Sequence, residues 1–217
     1  MSEPKDPLSV KVEAHRPLLI VDVDEVLGLF MRGFGRFVAE RGYELRLERF
    51  ALFQNLYRAG ELQPIDIAVG RALFDDFFRD GAEDMEPAPH AVEALNRLSR
   101  GAGIVVLTNA PGHAHGPRSR WLVRHGIDYP LVINEGPKGA AVATLAGRTQ
   151  GPAAFVDDLL PHLDSVAEAA PAVRRFQTVA DERLRPMAPS APERHPRIDH
   201  WPDLADALEA ALGSGRR

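Results

Sequence analysis

The chain contains no cysteine among its 217 residues. That excludes disulfides, thiolate metal sites and cysteine nucleophiles, and it fits a cytoplasmic protein. No apolar run approaches the ~20 residues needed to span a bilayer, so no membrane partner is expected. Met1 to Val12 is polar and mixed in charge, without the apolar stretch of a secretory signal. Residues 1–14 therefore read as a loose tail. There is no repeat of solenoid period. Neither sign of charge dominates: 26 Lys and Arg stand against 31 Asp and Glu, a net charge of -5. Such a balance gives no electrostatic case for a nucleic acid polymer as partner.

What is present suits a folded enzyme-sized domain. Hydrophobic residues make up 45% and charged residues 26%, enough to bury a core and too few charges for general disorder. Pro17 to Val21 is a short, unbroken apolar run stopped by acids, the pattern of a strand buried on both faces of a parallel sheet. Gly103 to Asn109, Pro130 to Asn134 and Ala153 to Asp158 repeat the pattern, and Val173 to Val179 is a more mixed candidate for an edge. Between them lie helical patterns at 90–100, 118–125, 139–145, 160–169 and 202–212. Gly126 stands as a helix stop. Strands alternating with helices predict an α/β fold with a doubly wound, Rossmann-like parallel sheet.

One stretch breaks this rhythm. Between Phe30 and Met85 there is no buried-strand run. Phe30, Met31, Phe34, Phe37 and Val38 trace one helix face, and Ile65, Val69, Ala72, Leu73 and Phe77 trace another. Residues 43–58 are ambiguous, with helix favoured over a hairpin. The organisation expected is a core of residues 15–29 and 86–217 with a small helical insertion, 30–85, after the first strand. The proline-rich segment 185–197 is expected as a surface loop.

The buried runs end in, or lead to, polar groups: Asp22 and Asp24, then Thr108 and Asn109, then Lys138, then Asp157 and Asp158. In a parallel sheet these strand ends share one edge, so residues far apart in sequence would converge. Three acids near one point repel unless a cation intervenes. Hard oxygen ligands without histidine or sulfur favour Mg²⁺ over zinc. A lysine and a hydroxyl beside such an ion would meet phosphate oxygens, which is most of what phosphoryl transfer requires.

Asp22-Val23-Asp24-Glu25-Val26 after an apolar strand resembles the first motif of the haloacid dehalogenase (HAD) superfamily. Leu107-Thr108-Asn109 resembles its second motif, Lys138 its third, and Phe155-Val156-Asp157-Asp158 its paired-acid fourth. The order is right from about Pro17 to Val179. The resemblance implies that Asp22 is a nucleophile forming an aspartyl-phosphate. Asp24 would be the general acid and base, its backbone carbonyl also binding Mg²⁺. Thr108, the backbone amide of Asn109, and Lys138 would hold the phosphate. Asp22, Asp24 and Asp157 would be the metal ligands, with Asp158 orienting metal-bound water. Dehalogenase members lack an acid at the position of Asp24, so phosphate chemistry is implied. The insertion corresponds to the helical cap of many members, closing over a small phosphorylated substrate. Asp24 to Leu27, Thr108 to Pro111 and Arg120 to Leu122 are further similar to the deoxyribonucleotidase-like group, which implies a nucleoside monophosphate as substrate.

Bland readings stand beside these. Thr108-Asn109 alone suits a turn or cap, Lys138 alone a surface lysine, and Asp158 an N-cap. Arg118 and Arg120 read as solvated helix charges, and His113 and His115 as part of a flexible rim. A receiver domain also clusters acids, a threonine and a lysine, but its acid pair comes early and its phosphorylated acid later, the reverse of the order here. A phosphomutase or phosphotransferase, or a non-catalytic binding relative, would use the same core.

Overall fold

Leu18–Val21 is buried on both sides and forms β1, the middle strand of a five-stranded parallel sheet. The structure is a computed structural model, and it describes residues 6–213. The other strands of the sheet are β4 (Gly103–Asn109), β5 (Leu131–Asn134), β6 (Ala153–Asp157) and β7 (Arg174–Gln177). Their spatial order is β5-β4-β1-β6-β7. The chain thus winds outward from β1 in both directions, with β1 pairing β4 on one side and β6 on the other in matching register.

Side chains alternate along each strand, so the two faces bury different partners. Leu19 and Val21 face a core built with α3 (Ala91–Leu98), α4 (His115–Arg124) and α7 (Trp201–Gly213). Leu18 and Ile20 face a second core built with α5 (Gly139–Ala146) and α6 (Leu160–Ala169). This is the doubly wound arrangement expected from the apolar runs. Gly139 lets α5 and α6 meet closely, because a Cβ there would stand 2.3 Å from the carbonyl oxygen of Ser165. Gly126 takes a positive φ just after α4, where a chain leaving a helix favours glycine.

The segment between β1 and α3 holds α1 (Phe30–Ala39), β2 (Tyr43–Leu45), β3 (Leu56–Arg58) and α2 (Ile67–Asp80). Phe30, Phe34, Phe37, Phe77 and Phe78 interlock between the two helices, mostly edge to face. The stretch favoured as helix is instead an antiparallel hairpin, pairing Tyr43 with Arg58 and Leu45 with Leu56. Its long connection folds back because buried Asn55 donates to the carbonyls of Arg49 and Ala51. Arg46 lies over the ring of Tyr57, 4.2 Å from its centroid.

Two other expectations change. The tail expected to be loose packs from residue 7 onward: Val10 is buried, and Arg148 donates to the carbonyls of Pro7 and Leu8. The proline-rich loop 185–197 is irregular, as expected, but not wholly on the surface. Ala188, Ala191 and His195 are buried, and Gln177 donates to the carbonyl of Pro189. Among the described residues no helix is long and apolar enough to cross a membrane.

Candidate active site

The carboxyl ends of β1, β4 and β6 lie side by side, and each delivers polar groups to one edge. Asp22 follows β1 directly. Thr108 and Asn109 close β4, and Asp157 closes β6 with Asp158 next to it. Lys138 enters from the loop after β5, at the start of α5. All of these except Asn109 are buried.

The ammonium of Lys138 joins two of the strand ends. It donates to Asp157 Oδ2 at 2.7 Å and lies 2.7 Å from Asp22 Oδ1. Burial alone would lower the pKa of this lysine, but the two carboxylates outweigh it and hold the group above the usual lysine range. Asp157 is engaged on its other oxygen as well, where Leu159 donates its backbone N–H at 2.9 Å. Asp22, Asp157 and Asp158 each place a carboxylate oxygen within 4.8 Å of the others. Burial raises the pKa of both Asp157 and Asp158; Lys138 opposes the rise, most strongly at Asp157, and the neighbouring carboxylates add to it. One lysine cannot balance three acids. The donor set is hard oxygen throughout, without sulfur or imidazole, and so fits Mg²⁺. Thr108 adds a fully buried hydroxyl whose oxygen has no partner within the protein, and it stands ready for an added oxygen ligand.

Asp157 stands in the acid trio with Asp22 while its oxygens also accept from Lys138 and Leu159, and Asp158, which the resemblance sets to orient metal-bound water, is the third member. The side chain of Asp24 is outside that trio. It accepts two hydrogen bonds from Arg118 Nη2, at 2.7 and 2.9 Å. Arg118 is not a solvated helix charge, as expected, but 0% exposed, with its guanidinium 4.9 Å from the Phe78 ring centroid. Spacing signals this: His115, Arg118, Trp121 and Leu122 form the buried face of α4. Burial pushes the carboxyl of Asp24 up to about 6; Arg118 opposes the rise and the charge of Asp22 adds to it.

Asn109 uses its side chain to tie β4 to the loop after β5. It donates to the carbonyl of Gly136 and accepts from Asn134 Nδ2, both at 2.8 Å. His162 on α6 lies beside it, its ring 3.4 Å away. Burial, with Lys138 nearby, lowers this imidazole to about 4, so it is neutral at neutral pH.

Glu25 was not singled out by its residue type. It sits at φ 57°, in the left-handed region that favours glycine, in the turn after Asp24. Its carboxylate compensates by accepting the N–H of Met31, in the first turn of α1, at 2.7 Å and that of Asp181 at 3.2 Å. The turn carrying Asp22 and Asp24 is thereby fastened both to α1 and to the loop after β7.

Above this edge, between the sheet and the segment 30–85, lies a cavity of about 290 Å³ that reaches Asp22, Asp24, Asn109 and Asp158. The arrangement can direct a carboxylate at an electrophile whose oxygens a buried cation and a free hydroxyl would meet, beside an acid trio that fits a divalent metal.

No family model and no curated protein matches the chain. Solved structures do. A HAD-superfamily hydrolase of subfamily IA from Geobacter sulfurreducens is 17% identical, covering 92% of this chain and 99% of its own at a TM-score of 0.54. The HAD-hydrolase YfnB of Bacillus subtilis, bound to magnesium, is 15% identical over 90% of this chain and 99% of its own, at 0.60. A predicted phosphoglycolate phosphatase from Haemophilus somnus is 13% identical over 88% and 97%, at 0.58. The fold is that of the HAD-superfamily hydrolases.

Proposed function

We propose that this chain, which carries the fold of the HAD-superfamily hydrolases, is a Mg²⁺-dependent phosphomonoester hydrolase working through an aspartyl-phosphate on a small phosphorylated metabolite. The observation that carries the proposal is Lys138, buried and 2.7 Å from both Asp22 and Asp157 beside an acid trio.

Asp22 attacks phosphorus through a carboxylate oxygen, and the bond from phosphorus to the ester oxygen breaks. Asp24 gives the departing alkoxide a proton, and then takes one from the water that opens the aspartyl-phosphate. Inorganic phosphate leaves, and both acids return to their starting states. Lys138 and Thr108 bind phosphate oxygens, while Asp157 fixes Lys138. Arg118 orients Asp24, and Asn109 with Asn134 sets the path of the loop that presents Lys138. Asp22, Asp158 and the backbone carbonyl of Asp24 would hold Mg²⁺, with Asp157 alongside. When bound, the ion supplies charge neutralisation at the phosphoryl group. The segment 30–85 acts as a cap, excluding water from the cavity.

The test is phosphate release from a panel of phosphorylated metabolites, nucleoside monophosphates included, with Mg²⁺. Asp22→Asn should abolish turnover with folding intact, and EDTA should do so reversibly. Turnover near the wild-type rate after either treatment overturns the proposal. Phosphate appearing on a second metabolite instead of in solution would make the enzyme a phosphotransferase.

A further inference from the structure

The cavity above Asp22 is chemically lopsided. Its polar lining is confined to the reacting end, where Asp22, Asp24, Glu25 and Asp158 stand with Asn109. The remaining wall is apolar: Phe30 and Phe74 from the two helices, Phe50 and Leu52 from the hairpin connection, and Leu159 and Leu184 from the core. Among the described residues lining it there is no Lys, Arg or His. The rings are held in place: Phe74 packs edge to face on Phe78 at 4.8 Å, on Phe30 at 5.9 Å and on Phe53 at 6.0 Å.

Such a wall discriminates by what it cannot offer. A second anionic group on the substrate would face carboxylates and hydrocarbon, with no cation to receive it. Sugar or polyol hydroxyls would lose water without gaining partners, a mismatch that sites exploit strongly. An apolar group would gain from burial against preformed hydrocarbon. The cavity is open on one side, so its 290 Å³ sets a scale and not a limit: a benzene-sized ring fills a cavity of roughly 150 Å³, for which the apolar part has room beside the phosphoryl group.

We infer that the substrate is the phosphate monoester of a neutral, apolar alcohol about the size of one aromatic ring, seated between Phe74 and Leu184. This rests on the phosphohydrolase reading above. The nucleoside monophosphate implied by sequence resemblance carries hydroxyls and base edges that this wall does not meet.

The experiment compares kcat/KM, with Mg²⁺, for 2-phenylethyl phosphate, glycerol 3-phosphate, phosphoglycolate and adenosine monophosphate. Acetyl phosphate, whose leaving group needs no proton and is too small to use the apolar wall, reports on the phosphoryl chemistry apart from substrate recognition. The expected result is a preference of about 100-fold for 2-phenylethyl phosphate over the polyol and dianionic esters. Leu52→Arg, placing a cation in the half-buried hairpin connection, should shrink its advantage over phosphoglycolate at least tenfold. Calorimetry with 2-phenylethylphosphonate should show binding with a negative heat-capacity change. Equal or better turnover of glycerol 3-phosphate, phosphoglycolate or the nucleotide overturns this inference, while acetyl phosphate hydrolysis leaves the phosphohydrolase reading standing. Silence on acetyl phosphate as well overturns both.

Discussion

Arg118 and Asp24 show how one residue's burial changes its meaning. An arginine with no exposure cannot be hydrated, and it is stable there because Asp24 accepts two of its hydrogen bonds. Removing one partner strands the other. Arg118→Met should therefore cost about 3 kcal/mol in urea unfolding and lower kcat with it. Arg118→Lys, which keeps charge but loses the forked geometry, should recover most of the stability and less of the rate. Equal rates for the two variants would show that the orientation of Asp24 is irrelevant to turnover. Asp24→Asn should slow phosphate release by about 10²–10⁴-fold, the scale of a lost general acid and base, while leaving substrate binding in place. The acids, Thr108 and Lys138 were legible from sequence because each ends or follows an apolar run. Helical spacing marks Arg118 as buried but not its partner 94 residues away, and the role of Glu25 depends on a backbone angle.

At the scale of elements, the strands of the parallel sheet were legible because strands buried on both faces need unbroken apolar runs. The hairpin β2–β3 escaped because three-residue strands carry too little alternation to outvote helix propensity, and its pairing is set by contacts across the turn. The same dependence on neighbours makes α5 informative. Lys138 sits immediately before it, so the position of α5 against α6 sets where the ammonium lies. Gly139→Ala would drive a methyl into the carbonyl of Ser165, which is backbone and cannot swing aside. The expected cost is about 1–3 kcal/mol in thermal or denaturant unfolding, as for overpacking generally. A fall in kcat beyond the loss of folded protein should accompany it as Lys138 moves. Full kcat per folded molecule would show that the site tolerates a displaced helix.

The whole molecule depends on joining the 30–85 segment to the sheet, and one buried acid makes part of that joint. Asp181, just after β7, accepts from Arg32 on α1 at 3.2 and 3.3 Å and from Arg183 beside it at 2.6 Å. Its backbone N–H reaches Glu25 in the turn that bears the nucleophile. Burial would raise the pKa of Asp181, but the two guanidinium groups prevail and bring it down to about 2 from an ordinary value of 3.8. A carboxyl whose folded pKa lies below its unfolded one contributes stability that is complete above about pH 4. That contribution is lost as pH falls from there through about 2. Both arginines are partly exposed, so solvent screening trims the nominal value, leaving about 1–2 kcal/mol. Asp181→Asn should therefore be less stable than the wild type by that amount at pH 7, and the two unfolding free energies should converge as pH drops toward 2. Urea titrations at a series of pH values measure the gap directly. A gap that stayed constant down to pH 2 would mean that the link between the 30–85 segment and the sheet owes nothing to the charge of Asp181.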